Sequence, residues 1–142
     1  MGNPRIRALA AAVVALSLAG CGSSSDAVQV RQTVASALHA LGSGDGAGFC
    51  SEATQVGQTK LARTVPGSTC AQVIELVGKH LSPAQKSALQ SVKVGPVTIR
   101  GDQASVTASA ITSSRGTLKG FLQKGSPATL LTKSGGTWKI SG

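Results

Sequence analysis

The order of apolar and polar residues predicts helices in the first part of the chain. From Asp26 to Leu41, apolar side chains recur every three or four residues, which predicts an amphipathic helix. The stretch GSGDG, residues 42–46, predicts the end of that helix, and Asp45 predicts the cap of a short second helix that carries Phe49 and Cys50. Residues 57–66 lose the helical period and are predicted to form a linker.

Two further helices are indicated by their first residues. Thr69 stands three positions before Gln72, which is the spacing of a capping box, and an apolar stripe follows as far as Leu81. Ser82-Pro83 predict the start of a fourth helix, because proline is favoured at the first helical position.

After residue 91 the apolar period changes to two, which predicts β-strands. Residues 92–99 alternate but slip in phase at Gly95-Pro96, which predicts a bulge within one strand. Gly101-Asp102 predict a hairpin turn into a second strand, along which one face carries Ala104, Val106, Ala108 and Ala110.

The last part of the chain also has strand character. A weak strand is predicted over residues 115–122, and a closing hairpin is predicted to turn at residues 134–136 with Trp138 and Ile140 on its inner face. Helices followed by antiparallel strands predict an α+β fold in which N-terminal helices pack on one face of a curved antiparallel sheet.

The first 20 residues have the layout of an export signal. Arg5 and Arg7 precede an apolar run from Ala8 to Leu18, and the small residues Ala19-Gly20 follow it. The run is roughly half the length of about 20 residues that a membrane-spanning helix needs. The sequence therefore predicts a signal peptide over residues 1–20.

The end of this segment indicates how the exported protein is held. Leu18-Ala19-Gly20-Cys21 resembles the lipobox of bacterial lipoproteins, in which the cysteine becomes the first mature residue. The resemblance implies a diacylglyceryl thioether on Cys21 and an acyl chain such as palmitate on its amino group, anchoring the protein on the extracytoplasmic face of the cell membrane. Residues 21–26 would then be the acylated cysteine and a flexible tether, and residues 27–142 one domain. The alternative is an ordinary secretory signal with an incidental cysteine.

Export also changes what the other cysteines predict. Cys50 and Cys70 are expected to pair as a disulfide, since exposed thiols rarely stay reduced outside the cell. The alternative is two separate buried thiols.

Composition excludes some partners and suggests others. The chain carries 14 Lys and Arg against 5 Asp and Glu, a net charge of +9, without a block of like charge. Such a surface suits anionic lipid headgroups or wall polymers, although a merely solvated basic surface is the alternative. Nucleic acid is not expected, because the chain has no tyrosine, one tryptophan and two phenylalanines on which bases could stack.

No motif in the sequence points to catalysis. Stretch 42–47 matches a dinucleotide-binding pattern, but a helix rather than a strand is predicted before it. Arg100-Gly101-Asp102 matches an adhesion tripeptide at a place where a hairpin needs a turn. His39 and His80 have no partner at metal-ligand spacing. The sequence therefore predicts a protein that is not an enzyme and that has no catalytic residue, no metal ion and no cofactor.

The order of elements, together with several short stretches, resembles the NTF2-like superfamily and, within it, small actinobacterial lipoproteins. The stretches are GDGAGFC, STC, LSPAQ, VKVGPVTIRGDQASV and GGTWKI, within residues 26–142. The resemblance implies a cystatin-like cone. Superfamily enzymes such as ketosteroid isomerase use an aspartate base with tyrosine or protonated acid donors inside the cone, whereas this chain has no tyrosine and mostly Ala and Val at the predicted inward positions.

Three functions follow as expectations. The first is a lipid-anchored envelope lipoprotein with a non-catalytic binding or interaction domain. The second is a carrier of a small apolar ligand or lipid in the cone cavity, for which the small residues Ala104, Val106, Ala108 and Ala110 would line the concave face, with a filled core as the alternative. The third, an isomerase-like or hydrolase-like enzyme, is disfavoured by the missing catalytic side chains.

Overall fold

The helices come first along the chain, as the sequence predicted. The computed structural model describes residues 21–118, 122 and 127–142. The helices in those ranges are α1 (Cys21–Ser43), α2 (Gly46–Ser51), α3 (Gln55–Ala62), α4 (Cys70–His80) and α5 (Pro83–Gln90). The predicted signal peptide, residues 1–20, lies outside the described residues.

The strands follow the helices and form two antiparallel sheets within the described ranges. They are β1 (Val92–Val94), β2 (Thr98–Arg100), β3 (Gln103–Val106), β4 (Ile111–Ser113), β5 (Thr129–Ser134) and β6 (Thr137–Ile140). One sheet pairs β1 with β4, and the other has the order β2-β3-β5-β6. Neither sheet closes on itself, and the α+β class is confirmed.

Local capping explains where most helices begin. The Asp45 side chain accepts a hydrogen bond of 2.8 Å from the Gly48 amide at the start of α2. Complete capping boxes start α4, at Thr69 and Gln72, and α5, at Ser82. The caps at Asp45 and Thr69 were predicted from the sequence, because each needs only residues three positions apart, and the start of α5 was predicted from Pro83.

Two helical boundaries differ from the prediction. Helix α1 begins at Cys21, so residues 21–25, which were predicted as a flexible tether, are helical. Helix α3 occupies most of the predicted linker 57–66, so that prediction is wrong for residues 57–62. Its stability comes from its surroundings: Thr54 caps it, and the side-chain Nε2 of Gln58 donates a hydrogen bond of 2.7 Å to the Cys50 carbonyl of α2. A sequence period cannot reveal such contacts.

The strand region is more divided than predicted. The phase slip at Gly95-Pro96 does not mark a bulge but a change of sheet, because β1 pairs with β4 while β2 pairs with β3. The Gly95 amide donates 2.7 Å to the Ala110 carbonyl at this crossing. The predicted strand through residue 110 ends at Val106 and is followed by a 3₁₀ turn at Ala108–Ala110.

The two ends of the predicted strand region have different outcomes. Residues 115–118 of the predicted strand 115–122 are irregular, and residues 119–121 lie outside the described part of the chain. The closing hairpin is confirmed: Gly135 and Gly136, at φ of 57° and 80°, turn β5 into β6. Two successive residues with positive φ make the turn that favours glycine in tight hairpins.

The core lies between the helices and the two sheets. Its most deeply buried side chains are Val30, Val34, Leu89, Val106, Leu131 and Trp138. The buried Thr33 hydroxyl donates 3.2 Å to the Trp138 carbonyl, so that its polar group is satisfied. The Cys50–Cys70 disulfide joins α2 to α4, which confirms the predicted pairing. Among the described residues, no helix is long and apolar enough to cross a membrane.

Candidate ligand pocket

An apolar pocket of about 370 Å³ opens between the first three helices and the end of β6. Most of its walls are aliphatic or aromatic. The main contributors are Val34, Ala37, Leu38, Phe49, Leu61 and Ile140. Ligand pockets in proteins run from roughly 300 to 1,000 Å³, so this one is large enough for a small organic molecule.

Helix α1 provides one wall through three residues of the same face. Val34, Ala37 and Leu38 are spaced at i, i+3 and i+4, which brings their side chains together. Ala37 takes part in this wall although its side chain is only 1% exposed, because it is packed among its neighbours at the inner side of the pocket.

The opposite wall is held by backbone contacts between the helices and β6. The Thr54 amide donates 2.8 Å to the Ile140 carbonyl, and the Ile140 amide donates 2.8 Å to the Glu52 carbonyl. Gly57 lies against the same strand, where a Cβ would come within 2.9 Å of the Ile140 carbonyl oxygen. The glycine permits this close approach, so α3 and β6 form a fixed wall.

Two of the polar side chains that line the pocket, Lys60 and Thr64, are exposed at its rim. Lys60 is exposed and is the one charged side chain among the described lining residues. The Lys60 Nζ lies beside Gly142, because a Cβ added to Gly142 would come 3.4 Å from this nitrogen. The Thr64 hydroxyl, also at the rim, already donates 2.7 Å to the Leu61 carbonyl. The arrangement is that of an apolar interior with a cation at the water boundary.

The side chains that the sequence suggested for a ligand lie elsewhere. Ala104 and Val106 point into the core, at 4% and 0% exposure, while Ala108 and Ala110 belong to the 3₁₀ turn. None of the four lines the apolar pocket. The alternation that suggested a common face breaks after Val106, so the four side chains do not share one.

Ala104 borders a second cavity on the outer face of the larger sheet. This groove, of about 470 Å³, is lined largely by polar side chains such as Thr98, Arg100, Gln103 and Thr132. A small apolar ligand would bury little apolar surface there. The pocket beside α1 is therefore the better candidate for such a ligand.

The pocket-lining residues of α2 and α3 were missed because their helices are short and have little apolar period. Phe49, one of two phenylalanines in the chain, is the strongest local signal among them. Leu61 was assigned to the predicted linker. Only the packing of α3 against β6 brings these side chains to the pocket that Val34 enters from α1.

Asp26 has a structural role that its predicted place in a tether did not suggest. Its Oδ1 accepts hydrogen bonds from Lys133 Nζ at 2.8 Å and from Trp138 Nε1 at 3.1 Å. Both hydrogen bonds lower the pKa of Asp26 below its ordinary value, and the bond from Lys133 has the larger effect, although desolvation acts in the opposite direction. Lys133 also lies 5.8 Å from the centre of the Trp138 ring. The contacts tie the first part of α1 to the β5–β6 hairpin.

The other predicted site residues add little chemistry to the described structure. Cys21 is the first residue of α1. Cys50 and Cys70 are joined to each other. In the part of the chain that the structure describes, no group of three His, Cys, Asp or Glu side chains could hold a metal ion.

Comparison of the chain with protein-family models, with curated proteins and with solved structures gives no match. The function proposed below rests on the geometry of the pocket and on the patterns in the sequence.

Proposed function

We propose that this protein is a lipid-anchored envelope lipoprotein whose NTF2-like domain binds a small apolar ligand without changing it chemically. The observation that carries the proposal is the apolar pocket of about 370 Å³ between α1, α3 and β6. Apolar surface removed from water contributes about 25 cal/mol per Å², so a ligand that fills such a pocket is bound mainly by the hydrophobic effect. This favours the carrier among the functions that the sequence suggested.

The chemistry of the pocket supports binding rather than catalysis. Acid–base catalysis needs a proton donor or acceptor placed at the reacting atom, commonly two groups with different pKa values. Among the described lining residues, Lys60 is the one side chain that carries a charge, and it lies at the rim. The interior has aliphatic and aromatic side chains, which can position an apolar molecule but transfer no proton.

The anchor is supported by the Leu18-Ala19-Gly20-Cys21 pattern, and α1 links Cys21 to the rest of the domain. Asp26 lies five residues after Cys21 in one helix, so the two are about 7.5 Å apart along the helix axis. Its contacts with Lys133 and Trp138 then join this helix to the sheet. A lipid on Cys21 would hold the domain close to the extracytoplasmic face of the membrane, where the excess of basic residues after position 20, 12 Lys and Arg against 5 Asp and Glu, suits anionic headgroups or wall polymers.

The NTF2-like cone is supported by the order of the elements. The helices precede the antiparallel strands β2 to β6, and the core lies between helices and sheets. The interior of such a cone lies between helix and sheet. The apolar pocket also lies between a helix, α1, and a strand, β6.

The pocket is tested by filling it. Ala37→Leu adds a larger apolar side chain to the pocket wall, whereas Ala35→Leu makes the same change on α1 at a position outside the lining. Binding is followed through the fluorescence of the uncharged dye N-phenylnaphthylamine, with the full chain. We expect dye binding by the wild type and Ala35→Leu, and at least tenfold weaker binding by Ala37→Leu, with thermal unfolding showing that both variants are folded. Equal dye binding by folded Ala37→Leu would contradict the proposed site.

The anchor is tested by removing the thiol. Cys21→Ala is expected to leave the membrane fraction and to lose incorporation of labelled palmitate, while Cys50→Ala, which leaves Cys21 in place, retains both. The membranes are washed with about 1 M salt, because charges separated by more than roughly 3 Å are screened there and a basic surface no longer holds the protein. Full retention of Cys21→Ala after this wash would refute the lipid anchor.

A further inference from the structure

We propose that the pocket selects a single-chain carboxylic acid, whose apolar tail lies in the pocket and whose carboxylate meets Lys60 at the rim. This inference rests on the proposed function and names the class of its ligand. The juxtaposition that carries it is one ammonium group at the mouth of a pocket lined mainly by apolar side chains. A molecule with one anionic end and one apolar body is complementary to both parts.

The position of Lys60 on α3 directs its two ends to different surroundings. Gly57, Lys60 and Leu61 line the pocket at positions i, i+3 and i+4 of one helix face. Lysine side chains commonly lay their methylene stem along apolar surface and keep the ammonium in water. At this position the stem adds to the apolar wall, and the charge lies where a ligand's headgroup would leave the pocket.

The ammonium group has capacity for a ligand. Lys60 forms no ion pair and no side-chain hydrogen bond with any residue in the described ranges, and no acidic side chain lines the pocket there. The neighbouring Thr64 hydroxyl has its proton engaged by the Leu61 carbonyl. Lys60 is therefore the charged donor that a headgroup would find at this rim.

A carboxylate fits this rim better than a bulkier headgroup. A single ammonium offers a compact point charge, while phosphate recognition commonly recruits several donors or a bidentate arginine. Because the mouth is exposed, the carboxylate keeps part of its hydration, and the desolvation penalty of a buried ion pair does not arise. The volume of about 370 Å³ is near the lower end of ligand pockets, which suits one acyl chain.

The test compares two ligands that differ only at the headgroup. Decanoate and decanol displace N-phenylnaphthylamine from the full chain at neutral pH, where a carboxyl group with a pKa near 4 is ionised. The quantity measured is the ratio of the decanol Kd to the decanoate Kd. Lys60→Met removes the charge and retains an apolar stem, and Lys79→Met makes the same change on α4, where the side chain is exposed and outside the pocket.

We expect the ratio to fall about 1.5- to fivefold in Lys60→Met, the size of an exposed ion pair, and to stay unchanged in Lys79→Met. Charge reversal in Lys60→Glu should lower it further and favour decylamine. About 1 M salt should reduce the wild-type preference, since the pair is exposed. An equal ratio in the wild type and Lys60→Met, with the dye still bound, would overturn the inference and leave the proposed function intact. Absence of dye binding above the Ala37→Leu background would instead refute the proposed function.

Discussion

Removal of the disulfide should measure how much of the stability of this small domain comes from one covalent link. The bridge joins Cys50 in α2 to Cys70 in α4, and both residues are 7% exposed. Helix α2 has six residues, too few to be stable alone, so its position depends on contacts with α1 and α4. The link therefore holds together two elements whose chain connection passes through α3.

The size of the effect follows from the loop that the bridge closes. The two cysteines are 20 positions apart. In the chain-entropy model, a cross-link that closes a loop of that length raises the free energy of unfolding by about 3.3 kcal/mol at room temperature. With an unfolding entropy of about 0.25 kcal/mol/K for roughly 120 residues, this corresponds to a Tm about 13 °C lower without the bridge.

The assay is urea unfolding of the oxidised wild type, the reduced wild type and the double variant Cys50→Ala/Cys70→Ala. The reduced protein retains both sulfur atoms, so its difference from the oxidised form isolates the cross-link from lost packing. The m-value should rise on reduction, because an unlinked unfolded chain exposes more surface. A loss below about 1 kcal/mol on reduction, with unchanged m, would refute the entropic account and indicate that the unfolded chain is already restricted between α2 and α4.

Three further perturbations test other parts of the structure. Leu131→Ala should lower the free energy of unfolding by about 2–5 kcal/mol, because Leu131 is 1% exposed. Leu130 lies on the same strand but is 50% exposed, so Leu130→Ala should lower it by less than about 1 kcal/mol. Similar losses for the two variants in urea unfolding would contradict the assigned faces of β5. Gly46→Ala should destabilise by at least about 1–3 kcal/mol, since the new Cβ would overlap the Ala71 carbonyl oxygen and come 2.8 Å from the Ala71 Cα. An unchanged Tm would argue against that close packing of α2 on α4. Asp26→Asn should lower the Tm at neutral pH and lose this effect as the pH falls well below 3.8. The reason is that a carboxyl group whose pKa is lowered by folding stabilises the fold at pH values above its ordinary pKa, and this stabilisation disappears when the group is protonated. A difference in Tm that does not change with pH would show that the ion pair is not its source.

Several features of the structure could be predicted from residues close together in the chain. Asp45 and Thr69 cap the helices that follow them, and both caps use partners three positions away. Gly135 and Gly136 turn the last hairpin through two successive positive φ values. In each case the hydrogen bonds or backbone angles involve neighbouring residues, so the local sequence carries enough information.

Other features were missed because they depend on residues far apart in the chain. Helix α3 has a weak apolar pattern, and although its Thr54 cap is local, its place in the fold depends on the close approach of Gly57 to Ile140, more than 80 positions later. Asp26 was assigned to a tether, but its partners Lys133 and Trp138 come from the last hairpin. The signal for each of these lies in a partner that a window along the sequence does not contain.

The pocket shows most clearly where the two kinds of information separate. The sequence by itself determined the α+β order, the caps at Asp45 and Thr69 and the terminal hairpin, because period and local chemistry specify them, while it made the pairing of Cys50 with Cys70 an expectation that the structure confirmed. Only the tertiary structure decided that Ala37 and Ile140 face one cavity, and that Lys60 lies at its mouth. A cavity is the space left between elements, and its place depends on how closely α1, α3 and β6 approach, a distance that no single segment encodes.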